Sequence, residues 1–164
     1  MPTKSRSSSL QAIAVDLPPI EQYARFLRQG GKRLTRQKRL IVEQIFSHHD
    51  HFDVNELLDH LQQVLSRREI SRPTVYRTLA ELAEGGILRK MTLGGRTVYE
   101  HDYGYPSHDH LFCQRCHNLI EFYSPQLERI CNSAAKEHNF QVLGHRLMVH
   151  GLCDKCSSDK PSAR

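Results

Sequence analysis

Two Cys-x-x-Cys pairs, Cys113 with Cys116 and Cys153 with Cys156, constrain this chain more than any other feature. Each pair offers two thiolates at a spacing that grips one ion, and together they complete a tetrahedral set of four sulfurs suited to Zn²⁺. The competing uses of such pairs are disulfides or a redox dithiol. A disulfide framework belongs to small secreted chains, and the sequence carries no secretory pattern. Just ahead of the first pair stands His108-Asp109-His110, a harder, partly oxygen-based ligand set. One ion can then hold the fold while another comes and goes. The fifth cysteine, Cys131, shares a helical pattern with Leu127, Ile130 and Ala134 and reads as a small buried apolar residue.

The chain has 164 residues, 38% of them hydrophobic, and no Trp. Two lobes with modest cores fit these values better than one large core, and a zinc staple suits a lobe that buries little. No apolar run is long enough to span a bilayer. Residues 1–18 are rich in Ser and Pro and read as a flexible arm, not a signal peptide, so the expected location is the cytoplasm. The net charge is +5, and all of it lies in the first hundred residues, which carry 16 basic and 11 acidic side chains against seven of each in the remainder. Arg25 to Arg39 holds seven basic residues and no acidic one, a candidate footprint for a polyanion. Charge alone describes a solvated helix face equally well.

Helical periodicity begins at Ile20, Tyr23, Ala24 and Leu27 and stops at Gly30-Gly31. Thr35 caps a second helix carrying Ile41, Val42, Ile45 and Phe46. Asp53 and Glu56 form a capping box for a third, with Val54, Leu57, Leu58, Leu61 and Leu65 as its stripe. A fourth starts near Ser71-Arg72-Pro73-Thr74, buries Val75, Leu79 and Leu82, and ends at Gly85-Gly86. Two strands follow, Ile87–Leu93 and Arg96–His101, joined by Gly94-Gly95. Three helices and a hairpin make a winged helix, whose last helix before the wing enters the DNA major groove. That helix, Arg72–Glu84, is expected to expose Thr74, Tyr76, Arg77 and Thr78 to bases and phosphates.

Gly104 and Pro106 break the pattern, so a hinge is placed at 103–107, between a winged-helix domain at 19–102 and a second domain at 108–157. In the second domain, His110–Cys113 and Asn118–Tyr123 read as strands, Ser124-Pro125 starts a helix to about Asn139, and Phe140–His150 reads as a third strand. The predicted fold class is α+β: an N-terminal winged-helix DNA-binding domain followed by a small α/β dimerisation domain with a four-cysteine zinc site. Residues 158–164 read as a loose tail.

The run Arg72-Pro73-Thr74-Val75-Tyr76-Arg77-Thr78-Leu79, the Gly94-Gly95 wing, His108-Asp109-His110-Leu111-Phe112-Cys113-x-x-Cys116 and Ile120-Glu121-Phe122, in this order, resemble the ferric uptake regulator (Fur) family. The match covers roughly residues 20–157. The resemblance implies a homodimeric, metal-dependent transcription factor, usually a repressor. Its winged helix would bind palindromic operators in double-stranded DNA, and its C-terminal lobe would dimerise and hold structural Zn²⁺ on the four paired cysteines. It further implies a regulatory metal site at His51, Glu100, His108, His110 and Glu121. A further set, Asp109, Glu128 and His145, lacks the family's preceding histidine, because Ser107 stands there. Arg33 matches a basic position that in the family reaches DNA, and Lys38 stands where the family often has Arg.

His108 and His110 alternate along a strand and so point the same way. With carboxylates they make a mixed set suited to Fe²⁺, Mn²⁺ or Zn²⁺. Zinc-sensing relatives generally place a Cys in the regulatory site, and no cysteine precedes Cys113. Peroxide-sensing relatives usually have Asp at the two carboxylate positions, whereas this chain has Glu100 and Glu121. The expectation is an iron-dependent repressor, with peroxide or manganese sensing as the alternative within the family. Outside it stand a zinc-dependent hydrolase and a thiol redox switch. The first lacks a phosphate loop, a nucleophile elbow and HExxH. Neither explains a basic winged helix.

Overall fold

The computed structural model describes residues 15–47, 51–64, 70–101 and 103–158. Residues 1–14 of the expected arm, Leu65 of the third helical stripe and residues 159–164 of the expected tail lie outside this range. The described chain divides into two compact units, one ending at Tyr105 and the next beginning at Pro106.

The first unit holds α1 (Pro19–Gln29), α2 (Arg36–Phe46), α3 (Val54–Val64), α4 (Arg72–Glu84) and the strands β1 (Leu88–Leu93) and β2 (Arg96–His101). The caps decide where the helices start. Thr35 accepts the Lys38 amide at α2, and Ser71 accepts the Thr74 amide at α4. At α3 the capping box is reciprocal: Asp53 accepts the Glu56 amide at 2.9 Å, and Glu56 accepts the Asp53 amide at 2.8 Å. Tyr23, Leu27, Ile41, Val42, Ile45, Leu57, Leu58 and Leu61 turn inward and pack with Val75, Leu79 and Leu82. Burying an aliphatic side chain of this size contributes roughly 1.5–3 kcal/mol, so this packing is the main support of the unit. Gly94 and Gly95 both have positive φ, 54° and 78°, the pair of values that a two-residue hairpin turn requires. The wing therefore pairs in strict antiparallel register, Leu88 opposite His101 and Leu93 opposite Arg96.

The second unit holds β3 (Asp109–Cys113), β4 (Leu119–Phe122), α5 (Pro125–Glu137), β5 (Met148–Gly151) and α6 (Asp154–Ser158). The sheet order is β4-β3-β5, with β3 antiparallel to β4 and parallel to β5. The parallel pairing needs a crossover, which α5 supplies. The expected strand Phe140–His150 is only its last part, β5. Residues 140–147 form no regular element, and the Leu147 amide bonds the Asp109 carboxylate at 2.7 Å. Helix α5 ends at Glu137, two residues early, because Asn139 turns left-handed at φ 51°. Its apolar stripe is not a buried one: Ile130 is 63% exposed and Cys131 half-buried. The short α6 has no counterpart in the sequence expectations.

Candidate metal centres and nucleic-acid interface

The four-cysteine centre is built by two knuckles. The first follows β3: the Cys113 amide bonds the Asn118 carbonyl at 2.9 Å, and the His117 amide returns to the Cys113 carbonyl at 2.9 Å, with His117 at φ 59°. The second caps α6, where the Cys153 carbonyl accepts the amides of Cys156 and Ser157. Hydrogen bonds join the knuckles, among them one from the Cys153 amide to the Cys113 Sγ at 3.3 Å. The Gln114 amide reaches the Gly151 carbonyl at 2.9 Å, and the Arg115 guanidinium bonds the Cys156 carbonyl. All four Sγ atoms lie within 4.8 Å of one another, and Cys116 and Cys153 are 3.6 Å apart. A disulfide needs about 2.05 Å. A tetrahedral Zn²⁺ with bonds of about 2.3 Å sets its sulfurs about 3.8 Å apart, so the donor set fits zinc.

The thiols are unequal. Amide donation from Cys116 and then Cys153 lowers the Cys113 pKa to about 5. Burial, reinforced by the neighbouring thiols, pushes Cys156 up to about 12. Four thiolates so close need a cation among them, and a dication supplies it.

The donors expected for a regulatory ion fall into two groups, one in each unit. In the first, Phe52 and Tyr99 exchange both backbone hydrogen bonds, at 3.1 and 2.8 Å. This bridge sets His51 beside Glu100, whose Oε1 lies 3.3 Å from the His51 Nε2. In the second unit, His110 on β3 is the direct register partner of Glu121 on β4. The His108 and His110 rings are 4.9 Å apart. The His108 Nδ1 bonds the Pro106 carbonyl at 3.0 Å, the carbonyl tie that fixes the tautomer of metal-binding histidines. His108, His110, Glu100 and Glu121 are all buried.

The further set is not gathered in the same way. His145 Nε2 is 3.5 Å from Asp109 Oδ2, but the Glu128 carboxylate accepts the Tyr123 hydroxyl at 2.8 Å. Among the described residues, Asp109, Glu128 and His145 do not form a cluster of ligand atoms within 4.8 Å.

On α4, Tyr76 and Arg77 are exposed, and Arg33 is exposed in the α1–α2 turn. Thr74 is half-buried, its hydroxyl 2.8 Å from the Ser71 cap. Thr78 is a correction: it is fully buried, because it lies on the same inward face as Val75, Leu79 and Leu82. The basic run Arg25–Arg39 is also divided, with Lys32 and Lys38 both paired to Glu81. The periodicity signal placed Glu81 on no particular face, so this pairing was not visible in the sequence.

The sequence model of the ferric uptake regulator family matches residues 29–150. The chain belongs to this family. Its members regulate transcription and are not enzymes, so the hydrolase reading falls away. The chain is a metal-responsive transcriptional regulator. Among its relatives, the ferric uptake regulation protein of Campylobacter jejuni is 30% identical over 145 residues, 88% of this chain and 92% of that protein. The peroxide-responsive repressor PerR of Staphylococcus aureus is 30% identical over 137 residues, 84% and 90% of the two chains. The crystal structure of the Vibrio cholerae Fur superposes with a TM-score of 0.64 at 30% identity, covering 79% of this chain and 98% of that one. That structure reveals structural rearrangement of its DNA-binding domains. Among the described residues of the present chain, no helix is long and apolar enough to cross a membrane.

Proposed function

We propose that this protein is an iron-dependent repressor that binds palindromic operators as a homodimer when its regulatory site is filled. The observation that carries the reading is the pair of preformed half-sets: His51 with Glu100 in one unit, and His108, His110 and Glu121 in the other. These five residues would hold the regulatory ion. Bound there, the ion supplies a dication that neutralises the two carboxylates and favours one arrangement of the two units. His51 and Glu100 belong to the unit that carries Tyr76 and Arg77, so that arrangement sets how far apart two recognition helices stand. The rearrangement of DNA-binding domains in the Vibrio cholerae relative supports a movable unit. Cys113, Cys116, Cys153 and Cys156 would hold structural Zn²⁺. Asp109, Glu128 and His145 are given no ion in this reading, since their ligand atoms are not gathered within 4.8 Å of one another.

The dimer reading rests on the face of the sheet opposite His110 and Glu121. Leu111, Ile120 and Val149 stand abreast across β3, β4 and β5, with Leu111 and Val149 each 40% exposed. A contiguous apolar row of this kind calls for a partner surface, and a second copy supplies its match. Peroxide or manganese sensing is the second reading, supported by the PerR relative at 30% identity. Two glutamates in the donor set favour iron without a peroxide response.

A mobility-shift assay tests the proposal on protein that keeps its structural zinc and has lost its exchangeable metal. Addition of Fe²⁺ or Mn²⁺ should restore retardation of a palindromic duplex. Equal retardation with and without added metal overturns it. Loss of retardation on peroxide treatment of the Fe²⁺ form would select the second reading.

A further inference from the structure

Four ionisable side chains meet beneath the recognition helix, and the metal chemistry uses none of them. Glu81 projects from the inner face of α4, its side chain 4% exposed. Its Oε2 accepts the Tyr23 hydroxyl of α1 at 2.6 Å and the Lys38 ammonium of α2 at 2.7 Å. Its Oε1 accepts Lys32, from the α1–α2 turn, at 3.1 Å. Lys38 is itself buried and lies 5.9 Å from the centre of the Tyr23 ring. Burial alone would raise the Glu81 pKa, but the hydrogen bonds from Lys38, Tyr23 and Lys32 hold it below the usual carboxylate value. The carboxylate is therefore charged, with both oxygens hydrogen-bonded.

Buried ion clusters of this kind add little net stability, because desolvation cancels most of their attraction. What they do supply is direction. Val75, Leu79 and Leu82 pack by apolar contact, which is non-directional and tolerates a small roll of the helix. A carboxylate with both oxygens committed to three donors is satisfied in one register only. Arg77 lies four residues before Glu81 on the same helix, about one turn away. Lys32 directly precedes Arg33. One carboxylate thus joins the helix bearing Tyr76 and Arg77 to the turn bearing Arg33.

We propose that Glu81 is a register pin, which holds the recognition helix and the Arg33 turn in fixed relation and so sets DNA discrimination more than stability. The inference rests on the reading of the winged helix as the DNA-binding unit. Glu81 is a positioning residue and touches no base.

The test pairs Glu81→Met with Lys38→Met, which removes the charges together and leaves apolar side chains of similar length. Thermal midpoint is measured beside affinity for two duplexes, one selected in vitro by the wild-type protein and one of random sequence. The midpoint should stay within a few degrees, while the selected-to-random affinity ratio should fall about tenfold, a change of about 1.4 kcal/mol in discrimination. Lys32→Ala removes the half-exposed arm alone; it should leave the midpoint unchanged and weaken selected-duplex binding severalfold. It also serves where the double variant fails to fold. An unchanged ratio in the double variant, or unchanged binding in Lys32→Ala, overturns the proposal. So does a ratio that falls only alongside a collapsed midpoint. Failure of the DNA-binding reading looks different: the wild-type protein then binds no duplex. The pin is in that case read from amide exchange along α4. Faster exchange at an unchanged midpoint supports it, and unchanged exchange overturns it.

Discussion

Fourteen described side chains close one apolar core in the unit that ends at Tyr105. Among the described residues, the hydrophobic side chains that the unit beginning at Pro106 buries are few: Phe112, Leu119 and Ala135, with Cys113 and Cys156. It leaves Leu111, Phe140, Leu143, Val149 and Leu152 exposed. The first unit is held by its own packing. The second is short of core and, on the proposed reading, would depend on what binds to it, an ion among its thiols and a second copy on its sheet. The contrast bears on regulation. A reading head that keeps its shape without metal can be switched by an ion that only repositions it. A metal-dependent frame needs a second, permanent ion to remain folded while the first exchanges.

The largest expected effect breaks the contrast at the weaker unit. Cys113→Ser should unfold the second unit, since structural zinc contributes folding free energy on the order of 10 kcal/mol. Circular dichroism should show loss of the β3–β5 sheet signal with the helical signal of α1–α4 retained. A variant as stable as wild type would refute the zinc staple. Next in size is His108→Ala with His110→Ala. Loss even of a supporting residue around a metal lowers affinity about 10- to 100-fold, so removing two ligands should lower regulatory-metal affinity by more than that. Thermal melts should still show the zinc-held fold, and unchanged metal dependence of duplex retardation would contradict the ligand assignment.

A smaller effect is expected at the first unit's surface. Arg77→Ala should weaken binding to a selected duplex by about 1–3 kcal/mol without shifting the thermal midpoint, as measured by fluorescence anisotropy and calorimetry. The smallest is a pH effect. The Glu81 carboxyl is held below its ordinary value of about 4.5, so its contribution is full above that pH and is lost as pH falls through the lower, folded value. The Tyr23 hydroxyl is raised, chiefly by burial and then by Glu81, so its contribution is full below about pH 10 and is lost above it. The difference in thermal midpoint between wild type and Glu81→Gln should therefore shrink as pH is lowered from 7 to 3. A constant difference would contradict the ionised cluster.

The same contrast explains what was legible in the sequence. Helices α1 to α4 announce themselves because caps and apolar spacing agree: Thr35, Asp53 with Glu56, and Ser71 open three of the helices that carry the core. The Gly94-Gly95 turn likewise sets the wing register. In the second unit the Cys pairs were legible as chemistry. The path between them was less so, because a side chain decides it: Asp109 takes the Leu147 amide and trims the expected strand to β5. The half-site of His51 and Glu100 depends on the Phe52–Tyr99 bridge, which no local spacing reveals. The Glu81 cluster stayed hidden for a related reason, since its four members come from three helices and a turn, up to 58 residues apart. Charge counting places Lys32 and Lys38 in the basic run Arg25–Arg39 and carries no sign of their pairing with Glu81.

Stepwise removal of metal from one sample tests the central claim most directly, with duplex anisotropy and amide exchange followed together. When the weakly held ion leaves, duplex affinity should fall while β3, β4 and β5 remain protected; when zinc leaves the thiols, that protection should disappear while α1, α2 and α4 keep theirs. Duplex affinity unchanged at the first step, or sheet protection lost at that same step, would contradict a division of labour between an ion that holds the frame and an ion that carries the signal.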